Sequence, residues 1–150
     1  MTTITAVSSD VVRSMLFAYR ARMRDLKKDR RLVYGLLFKN VGMRAGASLA
    51  HNHSQLIATP VVPAIVQQEI DGARRFLEYR GRCIYCDILR QERSDGKRLV
   101  LETREFAAVS AYASRFPFET WILPTRHISH FEDHERRRAR RRSPMCCFRS

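Results

Sequence analysis

The sequence has no long apolar run, few cysteines and far fewer acidic than basic residues. No uninterrupted apolar stretch approaches the roughly 20 residues that a membrane span requires, so we expect no membrane partner. Residues 1–10 have neither the basic start nor the apolar core that a secretory signal carries, which argues against export. These absences predict a cytoplasmic protein.

The excess of positive charge is unevenly distributed along the chain. The formal net charge is +13, and residues 135–150 carry +6 of it, through seven arginines against Glu135. The remaining +7 suits a phosphate-bearing small molecule as well as nucleic acid. Because no basic groove interleaved with aromatics and no recognised nucleic-acid motif accompanies it, we predict no nucleic-acid partner. The arginines of the tail would repel one another and bury nothing, so the tail is predicted to be disordered.

Periodicity and length indicate the fold class. With 150 residues, 45% of them hydrophobic, the chain can form one core but is short for two domains. The spacing of apolar residues predicts two helices, at residues 11–23 and 63–79, and a further helix near His130. Apolar runs predict strands at residues 32–38, 51–59, 98–102, 106–109 and 118–123, with a short polar stretch after Cys86. Antiparallel strands combined with helices place the chain in the α+β class.

A His-x-His-x-Gln segment at residues 51–55 follows a Gly-Ala-Ser turn. If the segment is an extended strand, His51, His53 and Gln55 share one face. Two imidazoles and a carboxamide there would suit phosphate chemistry, since the turn lets backbone amides approach an anion closely. From the residues alone three interpretations stay open: hydrogen-bonded core histidines, two ligands of one metal, or a nucleophile beside a metal ligand.

Cys83 and Cys86 form a Cys-x-x-Cys pair directly after the second predicted helix. In a reducing compartment such a pair is more often half of a zinc site or a redox pair than a structural disulfide. Two small buried hydrophobes are the other interpretation. Histidines further along the chain favour zinc, because thiolates and imidazoles suit its tetrahedral site.

The motif Phe-Lys-Asn-x-Gly-x-x-x-Gly-Ala-Ser-x-x-His-x-His-x-Gln spans residues 38–55 without a gap. It resembles the active-site signature of the galactose-1-phosphate uridylyltransferases, members of the histidine-triad superfamily. The Pro-Val-Val-Pro at residues 60–63 is most similar to the bacterial and plant-type branch, some members of which are nucleotide-sugar phosphorylases. The resemblance also covers residues 83–86 and 116–127, and it extends from about residue 10 to about residue 134.

The resemblance implies a histidine-triad-like antiparallel sheet flanked by helices, present only in part. Residues 1–62 would be the end of the N-terminal triad-like half, with the His-x-His-x-Gln strand. Residues 63–134 would be the start of the C-terminal half, with the Cys-x-x-Cys, and residues 135–150 the disordered tail.

For the active site, the resemblance implies that His53 is the nucleophile that attacks the α-phosphorus of a UDP-sugar. A neutral imidazole suits this role, because near pH 7 most of it is unprotonated. Gln55 would donate hydrogen bonds to the phosphoryl oxygens. The residues implied to hold the nucleotide phosphates are Asn40, Gly46, Ala47 and Ser48.

Zinc is the cofactor that the resemblance implies. His51 would bind a structural zinc whose other ligands lie earlier in the family's chain, so we expect this sequence to be a fragment or an incomplete copy. The ligands implied for a second zinc are Cys83, Cys86 and His127. A histidine further along completes that site in the family, and His130 or His134 could replace it here.

The predicted activity is that of a UDP-glucose:hexose-1-phosphate uridylyltransferase of galactose metabolism, acting by a ping-pong mechanism through a uridylyl-histidine. Its partners would be UDP-glucose and galactose 1-phosphate, and the resemblance allows a homodimer. One alternative is a nucleotide-sugar phosphorylase with the same nucleophile, which gives the nucleotide to inorganic phosphate. The other is an inactive fragment that binds zinc or a nucleotide.

Overall fold

The computed structural model of the protein describes residues 6–42, 45–47 and 53–133. It divides into an N-terminal unit, Met1–Ala64, and a C-terminal unit, Ile65–Ser150. The arginine-rich tail lies outside the described residues, so its disorder stays a prediction. The assignment of the chain to two triad-like halves also stays a prediction.

The N-terminal unit begins with helix α1, Ser9–Leu26, which confirms the first predicted helix. Ser8 precedes it in an extended conformation, and its hydroxyl accepts a hydrogen bond from the Val11 amide at 3.4 Å. Asp10 places a negative charge at the positive end of the helix dipole. Polar capping and the apolar spacing therefore fix the start of α1 from local sequence.

Two antiparallel strands follow, β1, Tyr34–Phe38, and β2, Gln55–Thr59, with Phe38 opposite Gln55. β1 starts two residues later than predicted, because the Leu32 amide donates to the Asp29 carbonyl at 3.0 Å and so belongs to the preceding turn.

The prediction that His53 lies within the second strand was wrong. β2 begins only at Gln55, and the carbonyl of His53 accepts a hydrogen bond from the Lys39 side chain at 3.1 Å. The argument from alternating faces therefore does not extend back to His53, and His51 lies outside the described residues.

Helix α2, Ala64–Arg80, starts directly after Pro63, as predicted, and all but its first residue belongs to the C-terminal unit. Helix α3, Ile84–Asp95, replaces the short polar stretch that was expected after Cys86. Ile84, Ile88 and Leu89 have helical spacing, but they occupy only the first half of the helix, and its second half is polar. Gly96, in the left-handed conformation with φ 67°, ends α3.

A three-stranded antiparallel sheet completes the C-terminal unit, in the order β3 (Leu99–Glu102), β4 (Phe106–Ser110) and β5 (Thr120–Pro124). Its strands confirm the three predicted ones. Alternate residues of β4 and one residue of α3 form the core, against which partly buried side chains of β3 and β5 pack. The buried residues are Leu89, Ala107 and Val109, and those packed around them are Leu99, Trp121 and Leu123.

Two further elements of the C-terminal unit differ from the prediction. β5 starts at Thr120 and not at Phe118, because Phe118 has a φ of 64°, which is incompatible with a strand. The helix expected near His130 is a short 3₁₀ turn, Phe131–Asp133, and the residues beyond it are outside the described part.

Within the described residues, no helix combines the length and the apolar character that crossing a membrane requires.

Candidate active site and metal centre

The segment that carries His53 is held by two side chains that the sequence analysis did not single out. Lys39 follows the last residue of β1, and its Nζ donates to the carbonyl oxygen of His53 at 3.1 Å. The hydroxyl of Tyr19, on α1, shares a hydrogen bond with the hydroxyl of Ser54. Because His53 and Ser54 directly precede β2, both bonds fix the backbone next to the predicted nucleophile.

The loop that leaves β1 places two of the predicted phosphate-binding residues close together. Gly42 and Gly46 have φ values of 86° and 74°, which residues with a Cβ rarely adopt. The amide of Ala47 donates to the Gly42 carbonyl at 3.2 Å, so the loop folds back on itself. A Cβ on Gly46 would lie 3.8 Å from Nδ2 of Asn40. The loop therefore brings the Asn40 carboxamide beside the backbone at Gly46.

Ser48 and His51 lie outside the described residues. Their predicted roles in phosphate and zinc binding stay predictions. Gln55 is the first residue of β2 and pairs with Phe38, so its backbone position is set by the strand register.

The second cluster brings together Cys83, Cys86 and His127. Cys83 is the N-cap of α3, Cys86 lies in the first turn of that helix, and His127 follows the end of β5. One ligand atom of each residue lies within 4.8 Å of the others. Sγ of Cys86 is 3.0 Å from Nδ1 of His127. Two elements that are distant in sequence thus meet at one cluster.

These three residues fit a zinc ion. Thiolate and imidazole are the ligands that zinc prefers, and two sulfurs that bind one tetrahedral zinc lie roughly 3.8 Å apart. The spacing in the cluster needs only a small adjustment to reach that arrangement. In such a site zinc would act as a structural link between the start of α3 and the end of β5.

The thiol of Cys86 holds its proton strongly when no metal is bound. Burial, followed by the neighbouring Cys83, raises the pKa of Cys86 to about 11, while the positive charge of Arg90 acts in the opposite direction. Since zinc binds the thiolate, metal uptake must release this proton, and affinity for the metal should rise with pH.

The Phe-Pro-Phe-Glu-Thr-Trp segment serves the sheet rather than the chemistry of the site. The carboxylate of Glu119 is 8% exposed and accepts hydrogen bonds from the Arg115 amide at 2.8 Å and from Nε1 of Trp121 at 3.1 Å. The Trp121 ring packs against the core of the C-terminal unit. This confirms the interpretation of Trp121 as a packing residue.

The sequence could have indicated a role for Lys39, but it contained no indication of one for Tyr19. Lys39 stands inside the uninterrupted motif of residues 38–55, directly before Asn40. Tyr19 is one of several apolar or aromatic residues spaced along α1, and only the folded chain shows that its hydroxyl meets Ser54.

Comparison with known proteins finds galactose-1-phosphate uridylyltransferases and an ADP-glucose phosphorylase. No protein-family model matches the chain. The chain is 38% identical to an ADP-glucose phosphorylase of Arabidopsis thaliana over 118 residues, which are 78% of this chain and 32% of that protein. It is 37% identical to a galactose-1-phosphate uridylyltransferase of Thermotoga maritima over 108 residues, 72% of this chain and 33% of that protein. The chain therefore spans about a third of the length of these curated relatives.

Solved structures give the same answer. A uridylyltransferase structure matches with a TM-score of 0.84 and 30% identity over 90% of this chain and 42% of that one. An ADP-glucose phosphorylase from Arabidopsis thaliana with bound ADP-glucose matches with a TM-score of 0.72 and 35% identity, over 81% of this chain and 37% of that one.

The α+β fold with antiparallel sheets is thereby confirmed, and with it the resemblance that the motifs indicated. In sequence and in fold, over about a third of the length of its curated relatives, this chain belongs to the galactose-1-phosphate uridylyltransferase family.

Proposed function

We propose that this chain carries the nucleotidyl-transfer site of a UDP-glucose:hexose-1-phosphate uridylyltransferase, with His53 as the nucleophile. In the first half-reaction an imidazole nitrogen of His53 attacks the α-phosphorus of UDP-glucose. A P–N bond forms as the bond from that phosphorus to the bridging oxygen breaks, and glucose 1-phosphate leaves with that oxygen. In the second, a phosphate oxygen of galactose 1-phosphate attacks the same phosphorus, the P–N bond breaks, and UDP-galactose leaves.

The observation that carries this proposal is the anchoring of the segment before β2 from two sides. Lys39 holds the carbonyl of His53, and Tyr19 holds the hydroxyl of Ser54. A nucleophile acts efficiently only when its position relative to the phosphorus is fixed, since misplacement by about 1 Å can cost 100-fold in rate. One hydrogen bond holds the backbone of His53, and the other holds the side chain of the next residue, Ser54. Together they provide the positioning that a nucleophile requires.

The loop between β1 and β2 supports the same reaction. Its turn at Gly42 and Gly46 leaves the backbone open to an anion, and the Asn40 carboxamide lies beside it. In the proposed site these groups bind the nucleotide phosphates together with Ser48, and Gln55 donates to the phosphoryl oxygens as negative charge increases on them.

Zinc is proposed at the cluster of Cys83, Cys86 and His127, where it links two elements of the C-terminal unit. His51 is proposed as a ligand of a separate structural zinc, as the family resemblance implies. The homodimer and the cytoplasmic location remain proposals as well.

A nucleotide-sugar phosphorylase is the second candidate function. It is favoured by the ADP-glucose phosphorylase of Arabidopsis thaliana, to which the chain is 38% identical. In this reaction inorganic phosphate replaces the sugar phosphate as acceptor, while His53 attacks in the same way. The two candidates therefore differ only in the second half-reaction.

Covalent labelling tests the nucleophile. The chain is incubated with UDP-glucose radiolabelled at the α-phosphorus, and protein-bound label that is acid-labile and base-stable is isolated. We expect such label on the unmodified chain and none on His53→Ala. Gln55→Ala should form it more slowly by about 100-fold, as loss of one transition-state hydrogen-bond donor does elsewhere. Gln67→Ala, which removes an exposed carboxamide on α2, is the matched control and should label normally.

The outcomes separate the candidates. Release of the label by galactose 1-phosphate identifies the transferase, and release by inorganic phosphate alone identifies the phosphorylase. Label that persists on His53→Ala would contradict His53 as nucleophile. A folded chain that takes up no label from UDP-glucose or ADP-glucose would be a zinc- or nucleotide-binding chain without transfer activity.

A further inference from the structure

A carboxylate next to the cysteine cluster joins both ends of the Cys-x-x-Cys segment. Asp87 directly follows Cys86, and its side chain is 18% exposed. One carboxylate oxygen accepts from Nε of Arg82 at 2.5 Å, and the other forms an ion pair with Nη1 of Arg90 at 2.8 Å. Arg82 is the residue immediately before Cys83, so Asp87 connects the residue before the first cysteine to the helix turn after the second.

The backbone around the cysteines makes this connection important. α2 ends at Arg80, and only Gly81 and Arg82 separate it from Cys83. Gly81 has a φ of 67°, a turn conformation that favours glycine, and its amide donates to the Leu77 carbonyl at 2.7 Å. The amide of Asp87 donates to the Cys83 carbonyl at 3.1 Å, which closes the first turn of α3. The ion pair between Arg82 and Asp87 spans the same segment a second time, through side chains.

We propose that Asp87 is a positioning residue for the metal centre, which holds Cys83 and Cys86 in the spacing that a tetrahedral metal requires by bonding Arg82 and Arg90. The inference rests on the proposed zinc site. The positive charge of Arg90, which Asp87 holds, favours the Cys86 thiolate, while the negative charge of Asp87 itself opposes it, so the role of Asp87 rests on its geometry. Groups that hydrogen-bond directly to metal ligands change metal affinity by about 10- to 100-fold when they are replaced. Asp87 acts through Arg82 and Arg90, so we expect an effect at the lower end of that range.

A purely structural role for Asp87 makes a different prediction. Ion pairs near the surface contribute little to stability, and Asp87 would then matter no more than any other pair on α3. The opposite end of the same helix provides the comparison, because Arg93 and Glu102 form an ion pair at 2.5 Å that does not involve the cysteines. Glu102→Gln therefore controls for loss of one ion pair on α3.

Cobalt(II) titration of the full chain tests the proposal, since cobalt reports its ligands through visible and thiolate charge-transfer bands. Cys146 and Cys147 are replaced by Ser throughout, so that Cys83 and Cys86 are the remaining thiols. We expect Asp87→Asn to bind cobalt about tenfold more weakly, with an unchanged spectrum at saturation. Asp87→Glu, which retains a carboxylate, should recover part of the loss, and Glu102→Gln should bind within about twofold of the parent.

Each contrary outcome has its own meaning. The positioning role is overturned if Asp87→Asn binds cobalt as tightly as the parent does, or if it loses no more cobalt affinity than Glu102→Gln does. Neither result would contradict the metal centre itself. A changed spectrum at saturation in Asp87→Asn would make Asp87 a ligand and also overturns the proposal. A parent chain that develops no charge-transfer band overturns the metal centre and the positioning role together.

Discussion

At the scale of single residues, Glu119 shows how one buried carboxylate organises a turn. The amide of Arg115 and Nε1 of Trp121 donate to it, and Arg115 also forms an ion pair with it at 3.3 Å. These donors, led by the Arg115 amide, hold the pKa of Glu119 below its usual range. The ionised form is therefore favoured by the folded chain.

The consequence is a pH-dependent stability. The pKa of Glu119 is lower in the folded than in the unfolded chain. Its contribution to the free energy of unfolding is therefore fully present above its pKa in the unfolded chain, about 4.3. It is lost as pH falls through the lower folded value. We expect Glu119→Gln to be less stable than the parent at pH 7, and the difference to shrink progressively as pH falls below about 4.3.

Urea unfolding followed by the fluorescence of Trp121, the single tryptophan, measures this difference. Glu78→Gln, at an exposed position of α2, should keep the pH dependence of the parent. A parallel pH dependence in Glu119→Gln and the parent would show that Glu119 is not the group responsible.

Lys39 and Tyr19 make a related point about the catalytic segment. Neither contributes to the predicted chemistry directly, yet both bond to residues that precede β2. Side chains that act through the backbone of a nucleophile are hard to predict from sequence, because their residue types carry no chemical signature of the reaction. Asp87 belongs to the same class at the metal centre.

At the scale of elements, the contact between α1 and β1 depends on a glycine. A Cβ on Gly35 would lie 2.8 Å from Cε of Met23, closer than real side chains allow. The absence of a side chain at this position of β1 therefore gives Met23 its place against the strand. Gly72, in α2, is the opposite case, because nothing lies within 4 Å of the position a Cβ would take.

This pair of glycines predicts opposite effects of the same substitution. Gly35→Ala should destabilise by about 1 kcal/mol or less, because the flexible end of the Met23 side chain must move aside. Gly72→Ala should stabilise by up to about 1 kcal/mol, since alanine is the better helix former. Hydrogen exchange of the β1 amides in the first variant and of the α2 amides in the second provides the measurement. Equal protection of β1 in the parent and Gly35→Ala would contradict the predicted clash.

Helix α3 shows where the sequence was insufficient at this scale. Its N-cap Cys83 makes no side-chain capping bond, and its apolar residues, such as Ile84 and Leu89, occupy only its first half, so the local signal for a helix is short. What stabilises it is packing of Leu89 against β4 and the ion pair of buried Glu92 with Arg98 at 2.8 Å. Both partners lie after the helix in the chain, and tertiary contacts therefore override a weak local preference.

At the scale of the molecule, the proposed zinc site would join two parts of the C-terminal unit that are far apart in sequence. A ligand that binds only the folded state stabilises it by about 2.7 kcal/mol at 100 times its dissociation constant. For a unit of this size that corresponds to a rise in the midpoint of thermal unfolding on the order of 10 °C. Trp121 lies against the core of that unit, so its fluorescence reports the transition.

We therefore expect zinc to raise the Trp121 transition and a chelator to reverse the rise. Cys83→Ser should abolish the response to zinc. Cys147→Ser, in the tail, should retain it. The response should weaken as pH falls, because the raised pKa of Cys86 makes protons stronger competitors of the metal. An undiminished zinc response in Cys83→Ser would contradict the proposed ligand set.

The sequence by itself determined the local elements and the chemical character of the candidate site. Periodicity predicted α1, α2 and the five strands because helix and strand repeats are properties of neighbouring residues. The motif of residues 38–55 identified the family because its residues are contiguous. Only the tertiary structure decided which distant groups meet. Cys86 contacts His127 across 41 positions, and Tyr19 contacts Ser54 across 35. No local pattern encodes such distances, because they depend on how the elements pack against one another.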